Sequence, residues 1–136
     1  MDVQEVLRAR GTARVLIIDD DPQFRMMLKQ MLERAGYEVM LAPEGKVGVR
    51  IYREEPPDVV ITDIFMPGQE GIETIRDLCR DFPGVKIIAV SGGARGGSLN
   101  FLPAAEMFGA VRTLNKPFEQ REILEALKEV FEEAGA

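Results

Sequence analysis

The sequence predicts an α/β fold, a doubly wound five-stranded parallel sheet covered by five helices. Three observations predict it. Short unbroken apolar runs such as Val15-Leu16-Ile17-Ile18 and Val59-Val60-Ile61 read as strands buried on both faces, as in a parallel sheet. Between them, apolar residues recur at helical spacing, and each parallel connection has to cross over through such a helix. A chain of 136 residues, 46% hydrophobic, fills one core and leaves little room for a second.

The first strand, Val15 to Ile18, is followed by Asp21-Pro22, an N-cap acid with proline at the first helical position. Phe24, Met27, Leu28, Met31, Leu32 and Ala35 then trace a helical face that Gly36 stops, and Met26 and Met27 read as ordinary packing residues. Tyr37 to Leu41 is a weaker second strand. A helix from about Glu44 to Arg53 uses Val47, Ile51 and Tyr52 inward, although Gly45 and Gly48 lower its propensity. Pro56-Pro57 breaks the chain before the third strand, Asp58 to Asp63. Ile72, Ile75, Leu78, Cys79 and Phe82 mark a third helix, ended by Pro83-Gly84, and Val85 to Val90 forms the fourth strand. Ser91-Gly92-Gly93 ends that strand and opens a glycine-rich stretch to Gly97, read as a loop because it lacks the spacing of a nucleotide cradle. A helix with Leu99, Leu102, Ala105 and Phe108 inward accommodates Pro103 only near its first turn. Val111 to Leu114 is a short fifth strand, and Ile123, Leu124, Leu127, Val130 and Phe131 define a last helix from about Glu119 to Glu133. Asp2 to Arg10, with Val3, Val6 and Leu7 on one side, reads as a short additional helix.

Composition closes several function classes. Seventeen Lys and Arg against twenty-three Asp and Glu give a net charge of −6, which argues against direct nucleic-acid binding. With no histidine there is no imidazole base, no Ser-His or Cys-His pair and no His-ligated zinc. Cys79 is the single cysteine, so a disulfide framework or CxxC motif is absent. No stretch approaches the roughly 18 apolar residues of a membrane span, and the expectation is a cytoplasmic protein.

In open parallel sheets, ligands gather beyond the carboxyl ends of the strands. Asp19 and Asp20 stand at the end of the first strand, Asp63 at the third, Ser91 at the fourth, and Lys116 after the fifth. Three converging carboxylates must bind protons or share a cation, and an all-oxygen site completed by water suits Mg²⁺. One Asp can then act as nucleophile toward phosphorus, with Lys116 neutralising phosphoryl oxygens and the Ser91 hydroxyl donating to one. Taken singly, Ser91 is a turn hydroxyl, Lys116 a solvated surface charge and Asp19 or Asp20 a helix cap. Asp21 is better placed to cap, and an acid ending an apolar strand is costly unless partnered.

The motifs Ile-Ile-Asp19-Asp20-Asp21-Pro22, Ile61-Thr62-Asp63 with Met66-Pro67-Gly68 and Gly71, Val90-Ser91-Gly92 and Lys116-Pro117-Phe118 fall in an order and spacing that resembles the receiver domain of bacterial two-component response regulators, the chemotaxis-type single-domain form. The resemblance covers about Arg14 to Glu133, so residues 1–13 are read as an N-terminal extension and 14–134 as the receiver domain. It implies the flavodoxin-like strand order 2-1-3-4-5, Asp63 as phosphoacceptor, and Asp19 and Asp20 holding Mg²⁺ together with Asp63 and the backbone carbonyl of Phe65. It further implies Ser91 and Lys116 as phosphate contacts and a cis bond at Lys116-Pro117. The phosphoryl donor would be a sensor histidine kinase or a histidine phosphotransfer protein. The output would be a conformational change read by a downstream protein, since no effector domain is expected in this chain. Such a domain is not an enzyme toward outside substrates but catalyses its own phosphorylation and dephosphorylation.

Two departures from the family pattern bear on behaviour. Thr113 occupies the fifth-strand position where relatives commonly carry Tyr or Phe, so an aromatic rotamer switch cannot operate there and coupling would use Thr113 and Arg112 differently. Phe65 and Gly93 replace side chains that could orient the attacking water, which implies slow self-dephosphorylation. Three other readings compete. A contact-only interaction module would require loss of an acid or of Lys116, and none is lost. A flavodoxin-like cofactor binder would meet repulsion between flavin phosphate and Asp19-Asp20-Asp21. A hydrolytic phosphatase would need a second catalytic acid aimed at the intermediate.

Overall fold

The computed structural model describes residues 12–64, 70–92 and 102–134. Among them lie five strands, β1 (Arg14–Ile18), β2 (Glu38–Ala42), β3 (Val59–Asp63), β4 (Ile87–Gly92) and β5 (Arg112–Lys116), and five helices, α1 (Pro22–Arg34), α2 (Gly45–Glu54), α3 (Glu70–Asp81), α4 (Leu102–Phe108) and α5 (Gln120–Ala134). The expected short helix at 2–10, Phe65, the 66–69 loop, Gly93 to Gly97 and Leu99 lie outside the described residues.

All strand pairs are parallel and the order is β2-β1-β3-β4-β5, as the family resemblance implies. The central strands β1 and β3 are buried almost end to end, whereas edge strands β2 and β5 are only half-buried. This is why the first two gave unbroken apolar runs and the edges did not. One core layer lies between the sheet and α1 with α5, around Leu28, Leu32, Ile123, Leu127 and Phe131. The other lies beneath α2, α3 and α4, around Ile18, Ile64, Ile75, Leu78, Ile87 and Ala105.

Local chemistry sets the element ends. Asp21 caps α1, its Oδ1 accepting from the backbone N–H of Gln23 at 2.9 Å and of Phe24 at 3.4 Å, with Pro22 at the first helical position. Gly36 follows the helix with φ +98, a left-handed conformation that a side chain resists. Pro103 sits in the first turn of α4, where its missing N–H is harmless.

Several boundaries and facings differ from expectation. Tyr37 precedes β2 because its N–H bonds the Leu32 carbonyl at the end of α1, and its ring stacks on Phe131. Val85 belongs to the turn before β4, bonded to the Phe82 carbonyl. Lys116 is the last residue of β5 rather than following it. Met26 and Met27 are 45% and 47% exposed, not packing residues, because the buried face of α1 centres on Leu28 and Leu32 and turns both methionines outward. Phe108 ends the short α4 and is exposed, with the Arg76 guanidinium 6.0 Å from its ring, while Ala105 supplies the inward contact.

Candidate functional site

Because every strand runs the same way, the carboxyl ends of β1, β3, β4 and β5 share one edge of the sheet. The chain's path reverses between β1 and β3, the position where such sheets open a crevice. Ile18 pairs with Thr62, so the next residues, Asp19 and Asp63, leave adjacent strands side by side. Ser91 and Lys116 reach the same edge from β4 and β5, whose pairing puts Gly92 opposite Lys116.

Asp19, Asp63 and Ser91 are 1%, 5% and 2% exposed, an unusual burden of polarity for strand ends. Lys116 answers part of it. Its Nζ donates to Asp19 Oδ2 and to Asp63 Oδ2, both at 2.9 Å. Burial pushes the Lys116 pKa down, but the hydrogen bonds and negative charges of Asp19 and Asp63 more than offset it, leaving the pKa above its ordinary value. The other Asp19 oxygen accepts from the Asp21 N–H at 2.9 Å, and Arg25 donates to the Asp19 carbonyl at 2.7 Å. Asp19 is therefore gripped at both its backbone and its carboxylate.

Asp20 lies exposed at the rim, and carboxylate oxygens of Asp19, Asp20 and Asp63 all lie within 4.8 Å of one another. Among the described residues, the ammonium bonded to this trio is that of Lys116. An all-oxygen donor set of three carboxylates with one ligand open to water fits a hard divalent cation that retains part of its hydration shell. Phe65, expected to add a carbonyl, lies outside the described residues. The bond between Lys116 and Pro117 is cis.

The sequence matches the response regulator receiver domain family over residues 15–128. The chain belongs to that family. The receiver domain is similar to the chemotaxis protein CheY of Thermotoga maritima, 41% identical over 118 residues that make up 86% of this chain and 96% of that protein. Among solved structures, it resembles a CheY-like response regulator receiver domain protein from Methanospirillum hungatei with TM-score 0.81 and 32% identity, covering 91% of this chain and 97% of the other. It also resembles the response regulator protein TrrA of Thermotoga maritima in complex with Mg²⁺ and BeF, with TM-score 0.77 and 28% identity, covering 88% and 99% of the two chains. None of the described helices of the receiver domain is long and apolar enough to cross a membrane.

The structure brings the expected acids, Ser91 and Lys116 to one edge, together with two contacts that sequence reasoning did not anticipate. Phe24 lays its ring 3.8 Å from Lys116 Nζ, and Arg25 ties down the Asp19 carbonyl. Their signal was position alone, in the first turn of the helix after the acids, where Phe24 also satisfied the apolar helical face. At the Thr113 position, the hydroxyl donates to Glu106 Oε1 on α4 at 3.4 Å, and Arg112 pairs with Glu129 on α5 at 3.2 Å.

Proposed function

We propose that this receiver domain accepts a phosphoryl group onto Asp63 from a sensor histidine kinase or a histidine phosphotransfer protein, and signals to a partner protein through the resulting conformational change. The observation that carries this reading is the Lys116 ammonium bridging Asp19 and Asp63 inside a cluster of three carboxylates. An Asp63 carboxylate oxygen attacks phosphorus as the bond to the donor atom breaks, and the donor leaves with the electron pair. The carboxylate is thereby converted to an aspartyl phosphate. Lys116 is placed to follow the new charge, releasing one carboxylate contact and donating to a phosphoryl oxygen, and the buried Ser91 hydroxyl donates to another. Asp19, Asp20 and Asp63, with the Phe65 carbonyl, would hold Mg²⁺, which when bound neutralises phosphoryl oxygens so that they can approach a carboxylate. The TrrA relative in complex with Mg²⁺ and BeF supports that reading of the donor set.

Intact-protein mass after incubation with Mg²⁺ and acetyl phosphate tests it. A single Mg²⁺-dependent phosphoryl adduct, absent from Asp63→Asn, is expected. If the adduct persists in Asp63→Asn, the acceptor lies elsewhere. If no adduct forms and Mg²⁺ does not bind, signalling by contact alone becomes the better reading. With Phe65 and Gly93 offering no polar side chain to orient water, the adduct should decay slowly, and a lifetime of only seconds would refute that part.

A further inference from the structure

The acid–lysine pairs account for only part of the surroundings of Lys116. Its ammonium stands 3.8 Å from the centroid of the Phe24 ring, inside the range where a cation is drawn to an aromatic face. Phe24 in turn meets Phe118 edge to face, with centroids 5.9 Å apart and planes at 89°. Both rings are half-buried against the core layer under α1 and α5, so the ring plane is fixed from below. The segment Lys116-Pro117-Phe118 thus supplies the cation and the buttress for the ring that covers it, while α1 supplies the ring.

We propose that Phe24 is a positioning residue for phosphoryl transfer, holding the Lys116 ammonium over the acidic crevice while its hydrogen-bond partners change. The proposal rests on the reading of Asp63 as phosphoacceptor. A lysine has four rotatable bonds above its Cα, and two hydrogen bonds to carboxylates do not fix it once one of them is exchanged for a phosphoryl oxygen. A π-face attracts the whole cation without demanding a particular N–H direction. It therefore retains the ammonium through the exchange, whereas another carboxylate there would compete with the phosphoryl group.

Two readouts test this on Phe24→Leu and Phe24→Tyr. The first needs no phosphorylation: Lys116 ε-methylene protons beneath the ring should be shifted upfield in the NMR spectrum of wild type and of Phe24→Tyr, and not in Phe24→Leu. The second is the rate of Asp63 phosphorylation by acetyl phosphate. Phe24→Leu should be slower by about tenfold, the scale of a lost desolvated cation–π contact, while Phe24→Tyr stays near wild type. Mg²⁺ affinity should be the same in all three, which a general collapse around α1 would not allow. A Phe24→Leu rate equal to wild type, a Phe24→Tyr as slow as Phe24→Leu, or a missing upfield shift in wild type overturns the proposal. A wild type that shows the shift but takes no phosphoryl group at Asp63 overturns instead the reading of the site, and the role of Phe24 in transfer falls with it.

Discussion

The two faces of the sheet are packed differently. Under α1 and α5 the space is filled by bulk: Leu28, Leu32, Ile123, Leu127 and Phe131, flanked by Phe24, Tyr37 and Phe118. Under α2, α3 and α4 branched residues such as Leu16, Ile18, Ile75, Leu78 and Ile87 share the space with Ala42, Ala89, Ala105 and Ala110, and glycines sit where elements touch. A Cβ at Gly71 would overlap the Ile64 backbone, one at Gly48 the Ile18 side chain, and one at Gly45 the Thr74 hydroxyl. Both layers should lose stability when atoms are removed, and the second should also lose it when atoms are added at its glycines. The contrast reaches the site. Ile64 directly follows Asp63, so α3 pins the backbone beside that acid, while α1 covers Lys116 with a side chain.

The largest expected effect separates the layers. Gly71→Ala presses a methyl group on the Ile64 backbone rather than on the end of a flexible side chain, and should destabilise by about 4 kcal/mol. Leu32→Ala opens a cavity in the opposite layer and should cost about 3 kcal/mol. Gly48→Ala meets the Cδ1 and Cγ1 atoms of the Ile18 side chain rather than backbone, and should cost about 1.5 kcal/mol. Urea denaturation of the three variants checks the order, and glycine variants as mild as a surface substitution would remove the sensitivity to added atoms and with it the contrast between the layers.

These layers were unequally legible in the sequence. Continuous apolar runs announced β1 and β3, and the acids closing them announced the crevice, because a parallel sheet puts every strand's carboxyl end on one edge. Periodicity also gave the stripe of α1, but it does not report how wide a strip the sheet covers, so Met27 was placed inside when it is exposed. Gly45 and Gly48 looked like weak points of a helix. They are where α2 meets Thr74 and Ile18, a contact between residues far apart in the chain that local propensity cannot register. Phe24 was read as core for the same reason: its second contact, with Lys116, exists only once α1 and β5 are in place.

The smallest expected effect uses alkaline pH to tell the layers apart. Burial raises the pKa of Cys79 on α3 above its ordinary 9.0. Burial also raises that of Tyr52 on α2 above 10.0, with the negative charges of Asp58 and of Cys79 adding to it. In the opposite layer Tyr37 is raised by burial alone, also from 10.0. In each case the unfolded chain gives up its proton first as pH rises. The unfolded state then binds fewer protons than the folded one, so the stability present at neutral pH declines through the interval between the two pKa values. Cys79 opens that interval lowest. Between about pH 9 and 10 the decline in urea midpoint should therefore come from the layer under α2 and α3, and Cys79→Ala should flatten it. Tyr37→Phe should alter the curve only above about pH 10, where both layers titrate together. If Tyr37→Phe rather than Cys79→Ala flattened the lower segment, the half-buried thiol would be too well solvated to distinguish the two faces.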